Sequence, residues 1–397
     1  MKRRDLLKTG LSLASLAALS GCSAKSSITL KDTDEIIPKQ TGTYIFSCPM
    51  PFDFKVIDEL VEINKRYKKS QIKTLFNNTP MPLSKKFNAW MQVNRGYNFN
   101  VNSYDDYAKY VRYAISKGFD ICYLLNAPKP FTKEDYDTFK NEFKWLLGFI
   151  KDTGIKDIKI GNTQTASLIN EIDPSFTLSA STALEYHSLA QYKNLIEIYP
   201  NIKLIDVAID ENHNFHFLEN LKKLLPDIDI EVMVDESCMK GCPARISHIS
   251  ELSFCRFDCY KIKTENPIFY AFKYGRVYPW NLEYYSAINV NNFKFPAAGE
   301  RFDFTKLKPL KQYLDGVEYG VEGYGAKEFL KEFLLTNTNI REEVKVSYLI
   351  PYLPDVRHFV KNGQYCATRC GDECNYCRDM AEKMNKFLDS INARVMV

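Results

Sequence analysis

From residue 43 onward the chain alternates short β-branched or aromatic runs with longer stretches whose apolar residues recur every three or four positions. The short runs predict strands at Tyr44–Ser47, Ile72–Phe76, Phe119–Leu125, Asp157–Ile160, Thr177–Ser179, Lys203–Ala208, Ile228–Val234 and Asn292–Phe295. Helical spacing marks "FKVIDELVEINKRY", "YDDYAKYVRYAISKG", "EDYDTFKNEFKWLLGFIKDTG", "TALEYHSLAQYKNLIEIY" and "FHFLENLKKLL". Strands that alternate with helices argue for an α/β fold with a parallel sheet, and eight such units for a (β/α)8 TIM-like barrel. A doubly wound open sheet is the alternative, but no G-x-G-x-x-G follows the first strand.

Each apolar run ends in small or polar groups: "FSCP", "FNNTP", "LLNAP", "IGNTQ", "LSASTA", "VAIDEN", "VDESC" and "FPAAGE". In a barrel these positions ring the C-terminal mouth, where active sites are built. Asn77, Asn126 and Asn162 stand at the mouths of three consecutive strands, where amides would line a polar pocket or simply begin loops.

The N-terminus departs from this pattern. Residues 1–22 combine a basic start, a short apolar run from Leu11 to Leu19 and small residues leading to Cys22. The run is shorter than the roughly 20 residues that span a bilayer, so a signal segment fits better than a membrane helix. Arg3-Arg4 followed by Asp5-Leu6-Leu7-Lys8 resembles the twin-arginine export motif, and Leu19-Ser20-Gly21-Cys22 resembles a bacterial lipobox. The expected product is exported to the periplasmic face and lipid-anchored through Cys22 to the inner or outer membrane. Residues 23–41 are polar and aperiodic and read as a tether; residues 42–340 read as the barrel, and 341–397 as a small Cys-rich C-terminal extension. A net charge of +4 from 53 basic and 49 acidic residues forms no basic stripe, so nucleic acid is not an expected partner.

Cysteine spacing carries the chemistry. Cys238, Cys242, Cys255 and Cys259 form two C-x3-C pairs, an insertion at 238–259 directly after the seventh strand. Four soft ligands converging on one volume hold a cubane iron-sulfur cluster or a tetrahedral zinc. Disulfides between the pairs are the third reading in an exported chain. Cys366, Cys370, Cys374 and Cys377 make a second set, read as a second cluster or a structural zinc pinning the extension onto the barrel. Its last three match the C-x3-C-x2-C spacing of radical S-adenosylmethionine enzymes, but that motif normally precedes most of the barrel. Cys122 lies within the third strand and reads as a buried small hydrophobe. Cys48, at the first strand's end, is a further candidate ligand or thiol.

The segment "VDESCMKGCPARISH", in which a late barrel strand runs into C-x3-C-P-x-R, resembles the U32 peptidase-like family. "YPWNLEYYSAINVNNFKFPAAGER" resembles that family too, and the likeness spans about residues 43–380, most specifically Cys238 to Arg245. The resemblance implies a barrel that binds a 4Fe-4S cluster through cysteines of this region. It also implies kinship with oxygen-independent hydroxylases of ubiquinone precursors or RNA, alongside proteins first described as collagenase-like peptidases. In one branch a ligand comes from early in the barrel and three from a pattern ending in x12 and x3. Cys242, Cys255 and Cys259 reproduce that tail, which sets Cys48 against Cys238 for the fourth position.

A peptidase reading lacks its chemistry, since there is no G-x-S-x-G or H-E-x-x-H. The favoured expectation is an iron-sulfur barrel enzyme performing a redox or hydroxylation reaction on a small-molecule substrate, with a redox partner protein. In it Arg245 and Arg301 bind an anionic substrate group, and Asp235, Glu236 and Glu300 are acid/base candidates. His248, shortly after Arg245, is a further site candidate. The alternatives are a membrane-tethered electron carrier and a zinc-stabilised hydrolase.

Overall fold

The computed structural model describes residues 36–78, 101, 103–236, 238–246, 265–273, 275–296, 307–337 and 344–392. Strands β1 (Tyr44–Pro49), β2 (Ser70–Asn77), β3 (Asp120–Leu125), β4 (Asp157–Ile160), β5 (Thr177–Ala180), β6 (Ile202–Asp206), β7 (Asp229–Met233) and β8 (Asn292–Lys294) pair in chain order. Every pairing is parallel, and β1 also pairs with β8, which closes the barrel. This is the (β/α)8 fold that the periodicity predicts.

The intervening helices are α1 (Phe54–Arg66), α2 (Tyr104–Ser116), α3 (Lys133–Asp152), α4 (Thr163–Ile172), α5 (Leu189–Ile198) and α6 (Phe215–Leu224). Their starts are written locally. The Asp53 carboxylate accepts from the amides of Lys55 and Val56 ahead of α1, and Thr132 and Asp135 form a reciprocal capping box on α3. On α1, Val56, Ile57, Leu60 and Ile63 make one buried stripe against the sheet. The single helix expected over 182–199 is broken. A 3-10 turn at Thr182–Leu184 stops at Glu185 in the left-handed region (φ 48°), and a Ser188–Gln191 capping box restarts the chain as α5. Helix α4 was not among the expected elements; its buried face includes Thr165 and Ala166, which weakens the apolar signal.

Beyond the seventh strand come α7 (Pro267–Phe272), α8 (Leu282–Ala287), α9 (Lys308–Tyr319), α10 (Tyr324–Asn337), α11 (Val356–Thr368) and α12 (Tyr376–Ser390). The extension packs on the barrel, α11 against α6 and α12 against α7. At Gly363 of α11 a Cβ would fall 2.0 Å from the carbonyl oxygen of His213, so only glycine permits this approach. The compact unit begins at Ile36, which buries against the core, while Thr41 exchanges hydrogen bonds with Ser286. The last residues of the expected tether are therefore attached to the barrel. Among the described residues no helix is long and apolar enough to cross a membrane. Cys22 and the rest of the expected signal lie outside the described residues.

Candidate functional site

Side chains alternate between the two faces of a strand, so β1 directs Phe46 and Cys48 to the helix side and Ser47 into the lumen. The same alternation brings Lys159 (β4), Asp206 (β6), Glu231 (β7) and Lys294 (β8) to one level inside the barrel. Lys159 Nζ donates to Asp206 Oδ1 at 2.5 Å and to Glu231 Oε2 at 2.9 Å. Lys294 Nζ donates to Asp206 Oδ2 at 2.7 Å, and Ser47 Oγ donates to Glu231 Oε1 at 2.7 Å. Lys294 Nζ also stands 4.7 Å from the centroid of the Phe76 ring. No side chain of the four charged residues is more than 8% exposed.

The charges are unequal in their ease of ionisation. Burial pushes Asp206 up, but Lys159 and Lys294 together hold it well below the usual carboxylate range. Burial pushes Glu231 up as well, Lys159 opposes it, and with the Asp206 charge beside it Glu231 is raised to about 7. Glu231 is therefore the carboxyl of this cluster that takes up a proton as pH falls through about 7, while Asp206 stays ionised. Burial lowers Lys159, yet its two carboxylate partners carry it well above its ordinary value; Lys294 ends below its own. One layer toward the strand N-termini, Ser179 Oγ donates to both oxygens of Asp157, and the Cys122 thiol bonds the same carboxyl.

Past β7 the backbone stays tied to the barrel, Val234 N–H donating to the Lys294 carbonyl at 2.9 Å. Asp235 meets Arg276 at 2.8 Å, both buried, and Glu236 Oε1 accepts from the amide of Cys238 at 2.8 Å. The thiols of Cys238 and Cys242 hydrogen-bond each other, and this bond, with burial, pushes Cys238 up. Arg245 closes the loop by donating to Glu185 (3.0 Å), Asp210 (2.6 Å) and the Met239 carbonyl (2.9 Å). Lys240 Nζ lies 2.6 Å from His213 Nδ1. Burial, then the Lys240 charge, hold that imidazole well below its usual value, so neutral His213 accepts from Lys240, which has only donors. His213 stacks on Phe359 of α11 at 4.6 Å, and Lys240 sits over the same ring at 5.2 Å.

The extension folds its cysteines into one place by local means. Cys366 lies in the last turn of α11, and Cys377 in the first turn of α12. Between them the Arg369 carbonyl accepts from the amides of Asp372, Glu373 and Cys374. Gly371 takes φ +93° in this turn, and its amide donates to the Cys374 carbonyl. Cys366, Cys370, Cys374 and Cys377 consequently line a single cavity of about 500 Å3, walled by Phe269 and Lys273 beyond β7 and by Arg378. His358 Nε2 is 3.7 Å from the Cys374 sulfur. Burial pushes Cys377 up to about 12 and raises Cys366, while the Lys240 charge pulls both the other way. All eight described cysteines are free thiols. Among the described residues no three Cys, His, Asp or Glu side chains converge on one metal-ion position.

Several expected site residues take other positions. Cys48 is inside β1, fully buried on the helix side, and burial holds its thiol protonated; it faces away from the lumen and the β7 loop. Arg245, expected to bind an anionic substrate, donates through its two terminal nitrogens to two acids and a carbonyl and so ties down the cysteine loop. Asp235 and Glu236 do stand at the mouth, but the first is ion-paired and the second holds a turn. Asn162 caps α4 and donates to the Ala127 carbonyl; Asn77 accepts from the Tyr107 hydroxyl. Cys255, Cys259, His248, Glu300 and Arg301 lie outside the described residues. The lumen charges were missed from sequence, although a signal existed: "DIKI", "KLID", "IEVM" and "NFKF" each place a charge at an alternate position of an otherwise apolar strand.

No family model matches the chain, and no curated protein matches it. Solved structures resemble the chain at low identity and low TM-score. The U32 peptidase Mk0906 is 10% identical with a TM-score of 0.41, covering 66% of this chain and 94% of its own. A GH113 β-1,4-mannanase complex is 11% identical with a TM-score of 0.37, covering 74% and 98%. An endo-β-1,4-mannanase from Thermotoga petrophila is 10% identical with a TM-score of 0.35, covering 72% and 78%.

Proposed function

We propose that this chain is an exported, lipid-anchored barrel enzyme that holds an iron-sulfur cluster at its C-terminal mouth and carries out a redox or oxygen-independent hydroxylation step on a small molecule. The observation that carries the reading is the cavity of about 500 Å3 faced by Cys366, Cys370, Cys374 and Cys377. The spacing of Cys238, Cys242, Cys255 and Cys259 supports a further cluster after β7. A bound cluster supplies electrons at a potential set by its charge, its hydrogen bonds and its exposure.

The protein's own residues do the rest. Lys240, only 5% exposed, places a positive charge beside Cys366 and Cys377 and favours their ligating thiolate forms. Phe269 and Arg378 stack over one flank of the cavity, while Cys370 leaves the other flank open to a redox partner. The lumen contributes the buried Lys159, Asp206, Glu231 and Lys294 as acid-base groups.

Anaerobic purification followed by iron, sulfide and zinc analysis tests the reading. The expected protein is brown, absorbs broadly near roughly 400 nm and bleaches on reduction. Colourless protein containing zinc alone would sink it. Paired Cys366→Ser and Cys377→Ser substitutions should remove the iron held by the extension and leave the rest. Turnover of quinone-like or aromatic acceptors separates an enzyme from an electron carrier, and loss of palmitate labelling in Cys22→Ala tests the anchor.

A further inference from the structure

A barrel lumen is normally filled by layers of branched apolar side chains. Here two ammonium and two carboxyl groups occupy one layer, and removing such charges from water costs several kcal/mol per ion before their mutual attraction offsets it. Apolar residues of similar volume would serve stability as well or better, so the arrangement points to chemistry. The two lysines are not equivalent. Lys159 is gripped by both carboxyls, whereas Lys294 is held by Asp206 alone and otherwise faces the Phe76 ring. The next inward positions toward the mouth on β5 and β6 are Ser181 and Ala208, whose side chains are small.

We propose that Lys294 is an amine nucleophile that forms an imine with the carbonyl group of a small aldehyde or ketone, with the Asp206–Glu231 pair moving the protons. Once deprotonated, Nζ attacks the carbonyl carbon, forming the C–N bond and breaking the C=O π bond as the carbonyl oxygen takes the proton held by Glu231. The resulting ammonium returns a proton to Asp206, which touches Nζ. That proton is passed to the hydroxyl, which leaves as water as the nitrogen lone pair closes the C=N bond, and the remaining N–H proton returns to the pair. Amine and carbonyl are consumed, imine and water are made, and no electrons change hands. Burial draws Lys294 below the ordinary lysine value, the Lys159 charge adds to this and Asp206 opposes it, which eases loss of the ammonium proton before attack. The chemistry uses no cysteine and is independent of the metal reading.

The test is reductive trapping on the full chain, as purified and after metal removal. Protein is incubated with pyruvate or dihydroxyacetone, treated with sodium borohydride, digested and mapped by mass spectrometry. The expected result is an adduct on Lys294 at least about tenfold above any surface lysine, in both preparations. Lys294→Arg keeps the charge and should lose it; the exposed control Lys65→Arg should keep it. Glu231→Gln should slow labelling at least about tenfold, the low end for a positioned proton donor. Labelling of Lys294 no greater than that of surface lysines with both ketones, or an adduct on Lys159 instead, overturns the proposal. Because the wild-type adduct is itself the readout, the outcome stands even if a variant fails to fold.

Discussion

Replacing Glu231 with Gln isolates the proton that the buried Glu231 takes up near neutral pH. Glu231 titrates at about 7 in the folded protein against an ordinary 4.5, because burial and the Asp206 charge outweigh the attraction of Lys159. At about 1.4 kcal/mol per pH unit this shift corresponds to about 3 kcal/mol. The folded pKa is raised, so the folded state binds the proton more tightly. That stabilisation is fully present below 4.5 and disappears as pH rises through about 7. Gln cannot ionise. At pH 5 the variant should be about 1 kcal/mol less stable than wild type, because its amide nitrogen cannot accept the hydrogen bond that the Glu231 oxygen it replaces takes from Ser47 or Lys159. At pH 8 the order should reverse, with the variant more stable by about 1 to 2 kcal/mol. Urea unfolding followed by the fluorescence of Trp145 and Trp280 at steps of pH reads the difference, and groups that titrate in both proteins cancel. A stability difference that stays flat between pH 5 and 8 would refute the raised Glu231 carboxyl.

Other perturbations have definite signs. Asp206→Asn leaves Lys294 without its carboxylate and Lys159 with only one, and should cost about 3–5 kcal/mol in the same unfolding assay. Arg245→Met strips Glu185 and Asp210 of their partner and should destabilise by a similar 3–5 kcal/mol, with early proteolytic cleavage near Cys242. His187, hydrogen-bonded to Glu185 and Glu211, is raised to about 10, so its NMR ring resonances should show a protonated imidazole throughout pH 6–8. The stability it adds is fully present below 6.5, shrinks steadily as pH rises above that, and is gone once pH has passed about 10. Gly363→Ala forces a methyl into the His213 carbonyl, costs about 1–3 kcal/mol, and should free the extension to proteolysis while the barrel's circular dichroism persists.

The barrel was legible because its strands are buried on both faces and its helices on one, which writes two different periods into the chain. All eight strands fall where the apolar runs lie, within a few residues. Element ends were less legible. Whether Glu185 continues a helix depends on its left-handed backbone and on the Ser188 cap that follows, and neither is a periodic signal. Side-chain roles were harder again. Arg245 looks the same in sequence whether it meets a substrate or Asp210, because the partner is supplied by a loop near in space and distant in the chain. Cys48 illustrates a one-residue effect: its neighbour Ser47 points into the lumen, so the thiol must point away. The C-terminal cysteines were recognisable as a set, since turn glycine and short spacing act locally. What lay beyond sequence was that they come to rest against the loop after β7.

That docking gives the two cysteine runs a common geometry. Gly363 allows α11 to approach the His213 backbone, Phe359 stacks on His213, and Lys240 lies over Phe359 while bonding His213. Lys240 stands between Cys238 and Cys242 in the chain, and its charge acts on Cys366 and Cys377 across space. The same loop leaves β7 through Val234, whose amide is bonded to the backbone of Lys294, the lumen lysine. A continuous set of contacts thus runs from the extension's thiols, through one buried ammonium, to the strand that carries the lumen amine. Contact is not coupling, which requires that a change at one end be read at the other. Gly363→Ala supplies the change at the extension and trapping at Lys294 the reading in the lumen. Unaltered trapping with the extension released would make the two sites independent, and slowed trapping would make them one machine.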